Sequence, residues 1–160
     1  MVVMGNIFSS KIRKIGNIRE FSRGKAIFGE KRGEMKEFKK YVTLHASPED
    51  VYNALVNPVM LELWTGEPAV MSEEPGSEFS LWDGSISGRN LSFIRNRRIE
   101  QEWYFGEQEE PSVVTILLHP SGKKTSMEIR HIHIPDDCFD NIRDGWLGDY
   151  IGGLEQLFEE

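Results

Sequence analysis

Apolar and polar residues alternate along residues 37–46. Phe38, Val42 and Leu44 share one parity, and Lys39, Tyr41, Thr43 and His45 the other, which is the pattern of a half-buried strand. Ser47-Pro48-Glu49-Asp50 then reads as a helix start, with a serine cap, a proline at the first position and an acid three residues on. Val51, Tyr52, Leu55 and Val56 form the apolar stripe of that helix. Asn57-Pro58 breaks it, and a second short helix over about residues 59–64 ends at Gly66 and Pro68.

A short strand over 69–72 leads to residues 78–88, EFSLWDGSISG, which read as strand, tight turn, strand. Alternation puts Phe79 and Leu81 on one face and Ser80 and Trp82 on the other, with Asp83-Gly84 as the turn and Gly88 as a second bend or bulge. Strands follow over 90–95, with Leu91 and Phe93 inward, and over 97–105, with Ile99, Gln101, Trp103 and Phe105 on one parity. Residues 112–119 carry Val114, Ile116 and Leu118 on the inner face. In 124–134 the apolar parity moves from Met127 and Ile129 to Ile132 and Ile134, which predicts a bulge near Arg130-His131.

From Pro135-Asp136 to about Phe158, apolar residues recur at three and four: Phe139, Ile142, Trp146, Tyr150, Leu154 and Leu157. That is a long terminal helix. Gly145, Gly148, Gly152 and Gly153 are costly inside it, and predict close packing, a cavity wall or a break near Gly145. The order predicts an α+β fold in which a curved antiparallel sheet of about six to seven strands wraps around a long C-terminal helix, with two short helices after the first strand.

Composition divides the chain. Residues 1–40 carry a net charge of +7 and residues 41–160 a net −14. The acidic body argues against nucleic acid and anionic membrane as partners, and no run reaches the ~18 apolar residues of a membrane span. One cysteine, Cys138, excludes an internal disulfide and fits a cytoplasmic setting. Residues 1–34, broken by five glycines, read as a basic, loosely attached leader before a domain over 35–160. Three functional readings attach to that leader: a myristoylation signal with Gly5 as acceptor, an organellar presequence, or a basic arm that the acidic body opposes. A plainer one puts the natural start at Met35.

Candidate chemistry is sparse. His131 and His133 have the spacing of a metal-binding strand, with only His119 on the adjacent strand or Asp136 to offer as a third ligand; ordinary histidines are the simpler reading, so no metal and no cofactor are expected. Cys138 sits near a helix start, yet Asp136, Asp137 and Asp140 surround it and oppose a thiolate. No nucleophile–base pair, phosphate loop or dinucleotide fingerprint appears, so no catalytic residue is assigned.

Five segments in fixed order carry a resemblance: ASPEDVYNALVNPVMLELWTG, EPGSEFSLWDGSISG, RRIEQEWYF, TSMEIRHIHIP and DGWLGDYIGGLEQLFEE. Residues 36–160 resemble bacterial proteins similar to the activator of the 90-kDa heat-shock-protein ATPase, within the START-like (SRPBCC, helix-grip) superfamily. Trp64, Phe79, Trp82, Gly84, Gly88, Trp103 and Trp146 sit where that family has its typical aromatic and glycine positions. The resemblance implies a helix-grip fold with a cavity between sheet and helix. The expected pocket lining is Phe79, Leu81, Phe93, Gln101, Trp103, Phe105, Ile116, Met127, Trp146 and Tyr150, with Gln101 as the polar group that orients a ligand. The leading expectation is therefore non-enzymatic binding of a small apolar or aromatic ligand. The alternatives are a protein-interaction module related to chaperone ATPase activation and an unrecognised START-like enzyme.

Overall fold

The computed structural model describes residues 35–106 and 110–159. The expectations for residues 1–34 (leader, Gly5 acceptor, presequence, start at Met35) lie outside the described residues. Strand β1 (Met35–Leu44) is followed by helices α1 (Pro48–Val56) and α2 (Pro58–Thr65). Then come β2 (Glu78–Leu81), β3 (Ile86–Ile94), β4 (Arg98–Trp103), β5 (Ser112–Ser121) and β6 (Lys124–Pro135). The chain ends in α3 (Asp136–Gly145), a π-helical turn (Trp146–Tyr150) and α4 (Ile151–Leu157). The strands form one antiparallel sheet in the order β1-β6-β5-β4-β3-β2, so the first strand closes onto the last. The expected α+β helix-grip architecture is what the chain adopts.

Local chemistry accounts for the helix boundaries. Ser47 Oγ accepts from Asp50 N at 3.2 Å, which satisfies one of the donors a helix start leaves open. Asn57 does the same for α2, accepting from Val59 N at 2.9 Å. Alternation sets the core: Ile99, Gln101 and Trp103 of β4, Val114, Ile116 and Leu118 of β5, and Met127 and Ile129 of β6 share the inward parity and are all buried.

Several local expectations change. Residues 69–72 do not form a strand; Val70 makes a single bridge to Ser80. Trp82 does not point away from Leu81. Trp82 and Asp83 adopt left-handed backbone (φ 50 and 54), and this turn swings the indole into the core. Gly88 is neither bend nor bulge. It pairs regularly with Phe79 and Trp103, and a Cβ there would lie 1.9 Å from the Glu102 carbonyl oxygen. The bulge of β3 falls at Leu91 instead, between Asn90 and Ser92. It leaves Phe93 opposite Ile99 but only half-buried, at the far end of the strand.

The bulge of β6 lies later than the apolar pattern suggests. Lys36 pairs with Ile134 and Phe38 with His131, so Ile132-His133 opposes the single residue Glu37, with His133 at φ 57. His131 therefore keeps the inward parity of Met127 and Ile129, while His133 turns outward to Pro111 O (3.1 Å) and Glu110 (3.0 Å). The two imidazoles share no site. The terminal helix runs through as expected, with the π-helical turn directly after Gly145.

Candidate functional site

Between sheet and C-terminal helices the rings form one cluster. Trp146, on the π-helical turn, stacks on Trp103 of β4 at 4.9 Å with 16° between planes, and meets Tyr150 at 4.5 Å. Phe38 of β1 also stacks with Trp146, at 6.2 Å. Trp64 of α2 meets Tyr150 at 5.1 Å and Trp82 at 5.8 Å, both edge-on. Gly153 makes that approach possible, because a Cβ there would lie 2.7 Å from the Trp64 ring. Offset and edge-to-face pairs of this kind contribute beyond area burial.

Two hydrogen-bond chains run through the cluster. In the first, Trp146 Nε1 donates to His131 Nδ1 at 3.0 Å, and His131 Nε2 meets Ser112 Oγ at 2.7 Å. An indole N–H can only donate, so Nδ1 is the acceptor and the imidazole proton sits on Nε2. Ser112 then donates onward to Ile132 O at 3.3 Å. Complete burial holds this imidazole neutral, with its pKa lowered to about 3. In the second chain Trp103 Nε1 donates to Gln101 Oε1 (3.1 Å) and Gln101 Nε2 to Asn90 Oδ1 (3.0 Å). Asn90 Nδ2 donates to Ser72 O and Ser77 Oγ, both at 3.1 Å.

These chains decide what the site can do chemically. A serine beside a histidine invites a nucleophile–base reading, but here Nε2 carries the proton and donates it toward Ser112. The imidazole therefore cannot remove the serine proton, which is the reverse of an activated serine. Cys138 is buried, and burial first, with Asp137 adding, pushes its thiol up to about 12. Among the described residues no group of His, Cys, Asp and Glu has the arrangement of a metal site.

Of the residues expected to line a pocket, Trp103, Phe105 and Trp146 are brought together around His131, and Tyr150 joins them through Trp146. Phe79 and Leu81 are buried on β2 toward one edge of the sheet, and Ile116 and Met127 in the middle of β5 and β6. Phe93 stands apart. Gln101 is inward and buried, but its amide bonds Trp103 and Asn90. A groove of about 640 Å³ lies elsewhere, between the β3–β4 turn, the end of β5 and the start of α1, and none of those ten residues lines it. Ser112 and Asn90 complete the two chains and carry no sequence signal of it, because their partners depend on cross-strand register.

On the outer face of the sheet, Glu128 is only 3% exposed and is ringed by Arg130 (2.6 Å), His119 (2.9 Å) and Lys39 (3.8 Å). The His119 hydrogen bond first, then Arg130, draws its carboxyl down to about 2. The acids of β4 are also answered: Glu102 by Arg89 at 3.0 Å and Glu100 by Arg98 at 3.7 Å.

A family model described as "Activator of Hsp90 ATPase homolog 1-like protein" matches residues 45–159. The activator of 90 kDa heat shock protein ATPase homolog of Dictyostelium discoideum is 30% identical over 131 residues, covering 80% of this chain and 34% of that protein. The human activator homolog 1 is 28% identical over 120 residues, covering 72% and 35%. This chain thus spans about a third of the length of the curated relatives it matches. Among solved structures, an HSP90 activator from Plasmodium falciparum superposes with a TM-score of 0.70 at 23% identity, covering 76% of this chain and 94% of that one. The Aha1 dimer from Colwellia psychrerythraea gives 0.68 at 16% identity, covering 78% and 97%. At these identities the structural likeness establishes the fold.

Proposed function

The chain belongs to the Activator of Hsp90 ATPase homolog 1-like family, and from that premise we propose that it is a non-enzymatic, cytoplasmic module of residues 35–160 that acts by binding a 90-kDa heat-shock chaperone. The observation that carries this reading is an unpartnered apolar surface on α2. Val59 is 74% exposed and Leu63, one turn on, 64%. The segment after α2 is tied back to that helix by Ala69 N donating to Glu62 Oε2 at 3.1 Å, and its Val70 is 61% exposed. Large apolar side chains grouped on one surface mark contact sites more often than scattered ones do. The curated relatives are named as activators of this ATPase over a length this chain only partly spans.

The test is the ATPase rate of a purified 90-kDa chaperone with the pure protein added. Stimulation that is lost in the double variant Val59→Asp, Leu63→Asp, with unchanged circular dichroism, supports the proposal. An unchanged ATPase rate at saturating protein sinks it.

A second reading, binding of a flat aromatic ligand between sheet and helix, has one observation in its favour. The interior layer is built of parallel rings, Trp103 on Trp146, next to a π-helical turn, a feature often found at functional sites. Tryptophan fluorescence titrated with flavonoid- or lipid-like compounds tests it. A saturable shift that Trp103→Phe removes supports it, and a flat titration refutes it.

A further inference from the structure

The groove at the end of the sheet carries an inference independent of both readings. After β3 the chain turns through Arg95-Asn96, with Asn96 at φ 64 and Arg97 N donating to Ile94 O at 2.9 Å. Leu118 N donates to Arg97 O at 2.8 Å, which pins this turn against β5. The space left beside α1, about 640 Å³, falls within the ~300–1,000 Å³ of small-molecule sites. Its walls are apolar: Pro48, Ile94, Leu117, Leu118 and Pro120.

Its formally charged side chains are of one sign. Arg97 and Arg98 line it, and no carboxylate does. Arg97 is exposed and forms no ion pair among the described residues. Arg98 Nε is buried without a hydrogen-bond partner among them, although its terminal nitrogen approaches Glu100 at 3.7 Å and Ser92 at 3.5 Å. The histidine at the rim, His119, is held by Glu128, whose second oxygen is taken by Arg130. Glu49 and Asp50 follow Pro48 on α1, exposed and outside the lining. In a body of net charge −14, a cationic pocket with apolar walls is a local exception.

We propose that this groove binds a small apolar carboxylate. The acid head lies on Arg97 and the exposed part of the Arg98 guanidinium, whose planar shape matches a carboxylate. The hydrocarbon part covers Ile94, Leu117 and Pro120.

The test titrates the ¹⁵N-labelled full chain with hexanoate and, in parallel, with 1-hexanol, following backbone amides by NMR. Hexanoate should give saturable shifts at Asn96, Arg97, Leu118 and His119, at least about tenfold more tightly than hexanol. Arg97→Gln, on an exposed turn, should weaken hexanoate about tenfold and leave hexanol unchanged, consistent with the loss of one charge-assisted contact. Equal affinity for acid and alcohol, indifference to Arg97→Gln, or shifts confined to the indole signals of Trp103 and Trp146 would each overturn the assignment.

Discussion

His131→Asn tests the interior most directly. The variant keeps an acceptor near the position of Nδ1 for the Trp146 indole, but loses the bond to Ser112 and any titration near neutral pH. At pH 7 it should be less stable than wild type by about 1–3 kcal/mol, the cost of leaving a buried polar group without its partner. The contribution of position 131 to the response to acid should then be present in wild type alone. Below pH 6.5 the unfolded imidazole binds a proton, whereas the folded one resists until about pH 3. Between those values the unfolded state holds more protons, so stability falls as pH falls. At ~1.4 kcal/mol per pH unit the loss from pH 7 to pH 5 is about 2 kcal/mol. Urea unfolding at pH 7, 6 and 5, read by tryptophan fluorescence, measures the gap between the two proteins. His45, His119 and His133 are present in both and cancel. The gap should close by about 2 kcal/mol, and a gap that stays constant over this range refutes the neutral, locked imidazole.

Gly88→Ala should lower stability by about 3 kcal/mol, since its methyl carbon would meet the Glu102 carbonyl at 1.9 Å and the Phe79 ring at 2.9 Å; an unchanged melting temperature would contradict the β3–β4 register. Glu128→Gln should cost about 1 kcal/mol at pH 7, a figure discounted because Lys39, Arg130 and His119 are half-exposed. That carboxylate contributes fully above its unfolded value near 4.5 and ceases to as pH falls through about 2, so the wild-type advantage should vanish by then. The Cys138 thiol should react with a disulfide reagent at pH 8 only as fast as the chain opens, and urea should accelerate the reaction steeply.

The strands were legible where alternation is undisturbed. Ile99, Gln101 and Trp103, or Val114, Ile116 and Leu118, reveal their face by parity alone. Trp82 was not, because three successive residues with positive φ override the period-two rule, and only Gly84 of the three announces such a turn. The bulge of β6 announced itself through the shift toward Ile134, but its position depends on what β1 pairs with, information that sits some ninety residues away. The role of Gln101 shows a similar limit. Its burial followed from parity, while its partner Asn90 is set by pairing between β3 and β4, just before a bulge. The rings of the interior could be enumerated from sequence, but their stacking on one another could not.

The π-helical turn at Trp146–Tyr150 bears on how the C-terminal region tolerates changes of length. Its hydrogen bonds reach five residues rather than four, so the chain there holds one residue more than a regular α-helix uses. Removing one of its outward residues, such as Leu147, would leave a continuous α-helix with α3 and α4 still in phase, because the turn spends five residues where an α-helix spends four. Leu154 would stay in the core and Gly153 against Trp64. The same deletion within α3 or α4, where no spare residue absorbs it, would turn everything after it by about 100°: helix content by circular dichroism would be kept while the core came apart.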